Sequence, residues 1–127
     1  MKGKKPDHGR GTGLAQSDES KGLKIKGRLW IEKNGETFLS WGRVVLLECI
    51  RDTGSIAAAA RSLEMAYSHA WSLVKTMNRL AGKELVTRSL GGSRGGGARL
   101  TPEGEDAVDQ FWKLAADFRQ WIQNQTF

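Results

Sequence analysis

Hydrogen-bonding side chains are concentrated in one predicted helix. A phenol, two hydroxyls, an imidazole and an ammonium occupy five of nine consecutive positions, as Tyr67, Ser68, His69, Ser72 and Lys75. No acidic residue stands between Met65 and Lys83, so this helix would not repel an anion. Groups of these types bind phosphate oxygens and the edges of nucleic-acid bases. The alternative is an ordinary helix face in contact with water.

A glycine-rich segment is the second candidate for such contacts. Residues 91–97 contain five glycines, with Arg94 among them, and lie between two predicted strands at 85–90 and 98–101. Glycine adopts positive φ and allows a backbone to come close to a ligand. We expect a hairpin that approaches a sugar–phosphate backbone, with Arg94 able to enter a minor groove and Arg99 as a further cation. A mobile surface hairpin is the alternative; a phosphate-binding P-loop is a poor one because no Gly-Lys-Ser/Thr follows.

Catalytic and metal-binding arrangements are not evident. The single cysteine, Cys49, permits neither an internal disulfide nor a CxxC metal site, and we expect it to be buried. His69 has only His8 as a second histidine, so we expect no metal. No Ser/His/Asp or Cys/His set can be assembled, and the acids of the last predicted helix resemble a solvated face. We therefore expect no enzyme and no cofactor.

The charge of the chain is unevenly distributed. The 127 residues carry 20 Lys and Arg against 14 Asp and Glu, a net charge of +6. Residues 1–28 and residues 54–101 each carry +5, whereas residues 29–53 carry −1 and residues 102–127 carry −3. A basic middle that contains the helix and the glycine-rich segment favours a polyanionic partner. We expect the acidic last segment, residues 102–127, to face away from that partner.

The N-terminal residues are predicted to form a disordered basic arm. Residues 1–22 contain only Met1, Leu14 and Ala15 as apolar side chains, too few to offset the chain entropy of folding. The arm either contacts phosphates or is a solvated tail. It has no apolar core typical of a signal peptide, and no stretch of the chain is apolar enough to span a membrane. We therefore expect a cytoplasmic protein with no membrane partner.

The remaining residues, 23–127, are predicted to form one domain of mainly α structure with small β elements. Asn34-Gly35 predicts a hairpin turn between residues 23–33 and 36–40. Apolar spacing predicts three short helices, at 41–53, 55–65 and 66–81. Gly54 ends the first helix and Ser55 caps the second. After the glycine-rich hairpin, Thr101 and Pro102 begin a long helix over about 102–124.

This order of elements is that of a winged helix-turn-helix with an N-terminal hairpin. The third helix would enter the major groove of DNA, which admits one helix. Ser55, at the start of the second helix, would offer its hydroxyl and nearby backbone N–H groups to a phosphate. Arg79, further along the third helix, adds a cation. For Trp71, two roles stay open: partial burial beside the hairpin, or direct base contact.

Short motifs at these positions match a known family. They are Gly54-Ser55-Ile56, Ala58-Ala59, Tyr67-Ser68-His69-Ala70-Trp71, Met77-Asn78, Gly91-Gly-Ser-Arg-Gly-Gly-Gly-Ala98 and Leu100-Thr101. Together they resemble the DNA-binding domain of ModE-type molybdate-responsive transcription regulators. More distantly, the helix-turn-helix is similar to that of LysR-type regulators, which share the GS..AA spacing and a final L-T-x-x-G, here Leu100 to Gly104. The resemblance covers about residues 23–125.

The resemblance implies a transcription regulator that binds a palindromic operator on double-stranded DNA. It also implies a homodimer formed through the long helices. Full-length family members carry a C-terminal molybdate-binding region, whereas this sequence ends with the long helix. We therefore expect that the chain lacks the molybdate-binding region and that any ligand response lies in a separate effector-binding protein. The basic arm is outside the family pattern.

The aromatic residues of the last helix have two interpretations. They either cover the core of the domain itself or form a symmetric contact with a second copy. We expect the second, with these residues in the interface: Val108, Phe111, Trp112, Ala115, Phe118 and Ile122. A rival to the DNA-binding function as a whole is a winged-helix adaptor that binds a separate ligand-binding protein.

Overall fold

The computed structural model describes residues 13–18, 22–89 and 97–125 of the chain. Its first elements are two antiparallel hairpins. Strand β1 (Gly13–Asp18) pairs with β2 (Leu23–Arg28), and β3 (Trp30–Lys33) pairs with β4 (Glu36–Ser40). The second hairpin turns at Asn34 and Gly35, whose φ angles of 53° and 82° are both positive, as a tight two-residue turn requires. The turn lies where the sequence predicts it.

The first hairpin differs from the predicted disordered arm. Residues 13–18 form a strand, with Gly13 opposite Arg28 and Asp18 opposite Leu23. Cross-strand hydrogen bonds and contacts of both strands with the last helix order a segment whose own side chains are too polar to do so. Residues 1–12 and 19–21, the remainder of that arm except Gly22, lie outside the described residues.

Three helices follow: α1 (Trp41–Thr53), α2 (Ile56–Ser62) and α3 (Tyr67–Ala81). Gly54, at φ 73°, ends α1, and the Ser55 hydroxyl accepts the N–H of Ala58 to cap α2. Helix α2 is shorter than predicted because Glu64 has φ 55°, a left-handed conformation that a helix cannot contain. The turn of the helix-turn-helix therefore spans residues 63–66.

A two-stranded wing and a long helix complete the chain. Strands β5 (Val86–Ser89) and β6 (Gly97–Leu100) are antiparallel, and α4 (Pro102–Gln123) begins with Thr101 accepting the N–H of Gly104. Gly104 packs so tightly that an added Cβ would collide with the carbonyl oxygen of Leu85. The glycine of the L-T-x-x-G motif is thus required by the close approach of α4 to the wing.

The core lies between the four helices and the β3–β4 hairpin. Its largest fully buried side chains come from α1, α3 and α4 and include Leu46, Leu47, Ile50, Val74, Met77, Val108, Phe111 and Ile122. Trp41 and Trp112 meet edge to face at 5.0 Å, and the buried carboxylate of Glu48 accepts a hydrogen bond from Trp112 Nε1 at 3.1 Å. The architecture is a winged helix-turn-helix, as predicted. Within the described ranges, no helix is both long and apolar enough to cross a membrane.

Candidate nucleic-acid interface

Helix α3 presents one polar face to solvent. Ala70, Val74 and Met77 on the opposite side are fully buried, which fixes how the helix is rotated against the core. The five residues singled out from the sequence are all exposed as a result: Tyr67, Ser68, His69, Ser72 and Lys75. The fold therefore places them on one accessible surface that has no acidic side chain of its own helix.

Trp71 lies half-buried between α3 and the wing. The guanidinium carbon of Arg88, on β5, lies 4.3 Å from the centre of the Trp71 ring, and Lys75 Nζ lies 5.8 Å from it. Arg88 Nη2 also donates to the Tyr67 hydroxyl at 2.7 Å. Tyr67, Trp71 and Lys75 are spaced four residues apart and form one stripe along α3. We call Tyr67, Trp71, Lys75 and Arg88 the Trp71 cluster.

Arg88 was not among the residues predicted from the sequence. It is a single cation in a short predicted strand, and its partners on α3 stand 17 and 21 positions earlier in the chain. The sequence contains one usable signal, since Arg88 lies in the basic stretch 54–101 next to the glycine-rich segment. Its position over Trp71 depends on how the wing docks.

The wing is fastened to the helices by two sets of hydrogen bonds. The Asn78 side chain accepts from the backbone N–H of Leu85 at 2.8 Å and donates to the Val86 carbonyl at 3.1 Å, which ties α3 to the start of β5. The N–H of Ala98 on β6 donates to the carbonyl of Gly54 at 2.9 Å. Both wing strands are thus held against the helix-turn-helix. Sequence reasoning assigned no such positioning role to Asn78.

The other predicted contact residues have different surroundings. Ser55 is half-buried, and its oxygen is engaged in capping α2. Arg99 is exposed on β6. Arg94 lies outside the described residues, as does the rest of the glycine-rich tip from Leu90 to Gly96.

Arg79 forms an ion pair with the β3–β4 hairpin. Its two terminal nitrogens lie 2.7 and 3.1 Å from the carboxylate oxygens of Glu36, so the pair is bidentate. The hydrogen bonds from Arg79 hold the pKa of Glu36 below its ordinary value, so the carboxylate is charged at neutral pH. The positive charge of Arg79 is therefore largely compensated, unlike that of Lys75.

Comparison with known proteins identifies the helix-turn-helix. The family model of bacterial regulatory helix-turn-helix proteins of the lysR family matches residues 41–105, from the start of α1 into the first turn of α4. The chain belongs to this family. Its helix-turn-helix and wing are those of a DNA-binding transcription regulator.

Similar proteins place this lysR-family chain with the ModE type. The chain is 46% identical over 74 residues to the molybdenum-pterin-binding protein MopB of Rhodobacter capsulatus, an alignment that covers 58% of the chain and 27% of MopB. It is 38% identical over 92 residues to the molybdenum transport protein ModE of Azotobacter vinelandii, covering 72% and 34%. It is 38% identical over 78 residues to the DNA-binding transcriptional dual regulator ModE of Escherichia coli, covering 61% and 29%. The chain spans about a third or less of these relatives.

The predicted dimer residues of this lysR-family chain are mostly inside its own core. Five of them are at most 2% exposed, namely Val108, Phe111, Trp112, Ala115 and Ile122. Phe118 is half-buried, and a Cβ on Gly27 of β2 would touch both its ring and Ile122. The prediction is wrong for these five residues, which belong to the core of the domain itself. Trp112 packs against Trp41 of α1, and the β1–β2 hairpin covers Ile122 together with Phe118. The large apolar side chains of α4 that are exposed are Leu114 and Trp121, at 44% and 58%.

The remaining predictions for this regulator concern metal ligands and the single cysteine. In the part of the chain that the structure describes, no three His, Cys, Asp or Glu side chains come close enough to hold a metal ion. Cys49 is half-buried on α1 rather than fully buried as expected. By their names, the three relatives are a binding protein, a transport protein and a transcriptional regulator.

Proposed function

We propose that this chain binds double-stranded DNA as a homodimer and regulates transcription from a palindromic operator. Helix α3 of each copy enters a major groove, and the wings lie on the flanking backbone. The observation that carries the proposal is the exposed face of α3, which is rich in donors and free of acids. Two α3 helices in successive major grooves would stand about 34–36 Å apart, one turn of the duplex.

Base reading is assigned to the N-terminal half of α3. In helix-turn-helix proteins the N-terminal residues of the recognition helix reach the base edges. Tyr67, Ser68, His69 and Ser72 have hydroxyl or imidazole groups that donate to and accept from those edges. Lys75 is one or two turns further along and is assigned to a phosphate, as is Ser55 at the start of α2.

Backbone contact is assigned to the wing. Arg88 and Arg99 are exposed on β5 and β6, and Arg94 stands in the glycine-rich tip between them. Arg88 adds positive charge beside helix α3, where it contacts Tyr67 and Trp71. We propose that Arg94 and Arg99 contact the backbone of a bound duplex. Arg79 contributes less because Glu36 compensates its charge.

The homodimer is assigned to an exposed apolar stripe on α4. Leu114, Phe118 and Trp121 recur every three or four residues, and the Phe118 and Trp121 rings stack at 6.4 Å with an angle of 19°. A tryptophan that is 58% exposed and continuous with two other apolar side chains is typical of a protein contact. A second α4 packed across a two-fold axis would cover both copies of the stripe.

The names of two relatives mention molybdenum or molybdenum pterin, and we propose no binding of either by the residues that the structure describes. The alignments cover about a third or less of each relative, so the molybdenum-pterin binding and molybdenum transport in these names are stated of those proteins alone. We propose that any effector acts through a separate protein. The competing function is an adaptor that binds such a protein and has little affinity for DNA.

A salt titration tests the proposal. Affinity for duplexes selected from a random pool is measured by fluorescence anisotropy from low to high salt. A DNA-binding dimer that neutralises several phosphates should lose affinity steeply, with a log–log slope of roughly −0.9 for each phosphate neutralised. No selected duplex, or no measurable binding at physiological salt, would leave the adaptor function instead.

A further inference from the structure

The hydroxyl of Tyr67 has a defined hydrogen-bond direction. Arg88 Nη2 lies 2.7 Å from the Tyr67 oxygen. A guanidinium has only donors and stays protonated, so the Tyr67 oxygen must be the acceptor in this bond. The proton of the hydroxyl is therefore free to be donated to another group.

The geometry leaves that proton facing solvent. Tyr67 is 45% exposed, and among residues 13–18, 22–89 and 97–125 no hydrogen bond donated by its hydroxyl is present. Arg88 is itself held in place, because its guanidinium lies 4.3 Å over the ring of the half-buried Trp71. Tyr67 is the first residue of α3, at the end of a recognition helix that reaches base edges.

We propose that Arg88 is a positioning residue that makes the Tyr67 hydroxyl a donor toward acceptor atoms of the duplex. An unpartnered tyrosine hydroxyl can donate or accept, and so would tolerate both the acceptors and the amino groups of bases. With its oxygen taken by Arg88, the hydroxyl favours purine N7, guanine O6, thymine O4 or a phosphate oxygen, and disfavours the amino groups of adenine and cytosine. This inference rests on the proposed DNA-binding function.

A double-mutant cycle tests the coupling. The full chain selects a duplex of about 30 base pairs from a random pool, enough for two half-sites. Affinity for that duplex is measured for the wild type, Tyr67→Phe, Arg88→Met and the double variant. Arg119→Met is the matched control, since it removes the same charge from an exposed position on α4.

The expected result is non-additivity. Tyr67→Phe should weaken binding by about tenfold, the effect of removing one hydrogen bond. The Arg88→Met change should reduce the DNA affinity of the wild type by one factor and that of the Tyr67→Phe variant by another. The first factor should be at least three times the second. Both residues are exposed, so unchanged circular dichroism and melting temperature are expected to show that the variants are folded.

Modified duplexes distinguish the acceptor. Purines that lack N7, guanines that lack O6 and thymines that lack O4 test the base acceptors, and methylphosphonate linkages test a phosphate oxygen. One of these modifications, at one position in each half-site, should reduce the affinity of the wild type for the duplex. The same modification should leave the affinity of the Tyr67→Phe variant unchanged. Tyr67→Phe binding as tightly as the wild type, additive effects, or equal sensitivity of both proteins to every modification would each overturn the inference. A wild type that selects no duplex would overturn the proposed function instead, so the two failures are distinguishable.

Discussion

Arg79 of α3 and Glu36 of the β3–β4 hairpin form a bidentate ion pair, with nitrogen–oxygen distances of 2.7 and 3.1 Å. The pair joins residues that are 43 positions apart. It compensates the charge of one arginine on the proposed DNA-binding helix and leaves Lys75 on the same helix without a carboxylate partner among the described ion pairs. Two cations of one helix are thus expected to act differently on DNA.

The first prediction concerns these two cations. Lys75→Ala should reduce the slope of log affinity against log salt by about one unit, as expected when one phosphate is no longer neutralised. Arg79→Ala should change that slope little, because Glu36 already compensates its charge. Glu36→Gln, which frees Arg79, is expected to make the slope steeper. Equal slopes for Lys75→Ala and Arg79→Ala would contradict the different roles.

The second prediction separates specificity from affinity. Replacing both Ser68 and Ser72 with Ala removes two hydroxyls from the exposed face of α3 and no charge. The preference for the selected duplex over a scrambled duplex should fall, by about 1–3 kcal/mol for each base that is no longer read, with the salt slope unchanged. Competition binding with the two duplexes measures the preference. Unaltered selectivity would argue against base reading by these serines.

The third prediction concerns the buried hydrogen bond between Trp112 and Glu48. Trp112→Phe removes the indole N–H that lies 3.1 Å from a carboxylate oxygen of Glu48, a residue only 4% exposed. Loss of the donor to a buried carboxyl group, together with the smaller ring in the core, should lower the free energy of unfolding by about 1–3 kcal/mol. Urea denaturation measures this change.

A matched control for Trp112 is available in the same chain. Trp30 Nε1 makes the same kind of bond to Glu32 at 2.9 Å, but the residue is 51% exposed. Water replaces the missing donor there, so Trp30→Phe should cost less than about 0.5 kcal/mol. Equal losses of stability for the two variants would show that burial of Glu48 is not the cause.

The fourth prediction compares two helical glycines. Gly104→Ala places a methyl group against the backbone of Leu85, which cannot move away without displacing the wing. The free energy of unfolding should fall by about 1–3 kcal/mol, despite the better helix propensity of alanine. Gly42→Ala, in α1 with no atom within 4 Å of its new Cβ, should instead be neutral or stabilising by up to about 1 kcal/mol. Thermal or urea unfolding of both variants measures the two changes in the free energy of unfolding.

The fifth prediction addresses the dimer. Trp121→Glu places a charge on the most exposed residue of the α4 stripe and should convert the dimer to a monomer in sedimentation experiments. Gln123→Glu adds the same charge two positions along, on the other side of the helix, and should leave the dimer intact. A wild type that sediments as a monomer at tens of micromolar would contradict the proposed assembly.

Much of the fold is readable from local patterns. Apolar spacing and a following glycine predict α1 over 41–53, and the structure has it at Trp41–Thr53. Asn34-Gly35 identifies the turn of the second hairpin, and Thr101 with Pro102 identifies the start of α4. Each of these features depends on residues that are close together in the chain, so it can be predicted from the sequence alone.

The β1–β2 hairpin is where local patterns were insufficient. Residues 13–18 are too polar to predict a strand, yet they pair with β2, and both strands contact α4. The same packing buries Ile122 and half-buries Phe118, which the sequence assigned to a dimer interface. The two differences have one cause, because an apolar helix face does not reveal which element of the chain covers it.

The sequence by itself determined the family, the order of the elements and the helix that presents donors without acids. Tertiary structure alone decided which of those groups are available. It paired Arg79 with Glu36, placed Arg88 over Trp71 and against Tyr67, and turned Leu114 and Trp121 rather than Phe111 and Trp112 outward. Each of these outcomes depends on contacts between residues distant in sequence, whose geometry is set by how the wing and the hairpins pack on the helices.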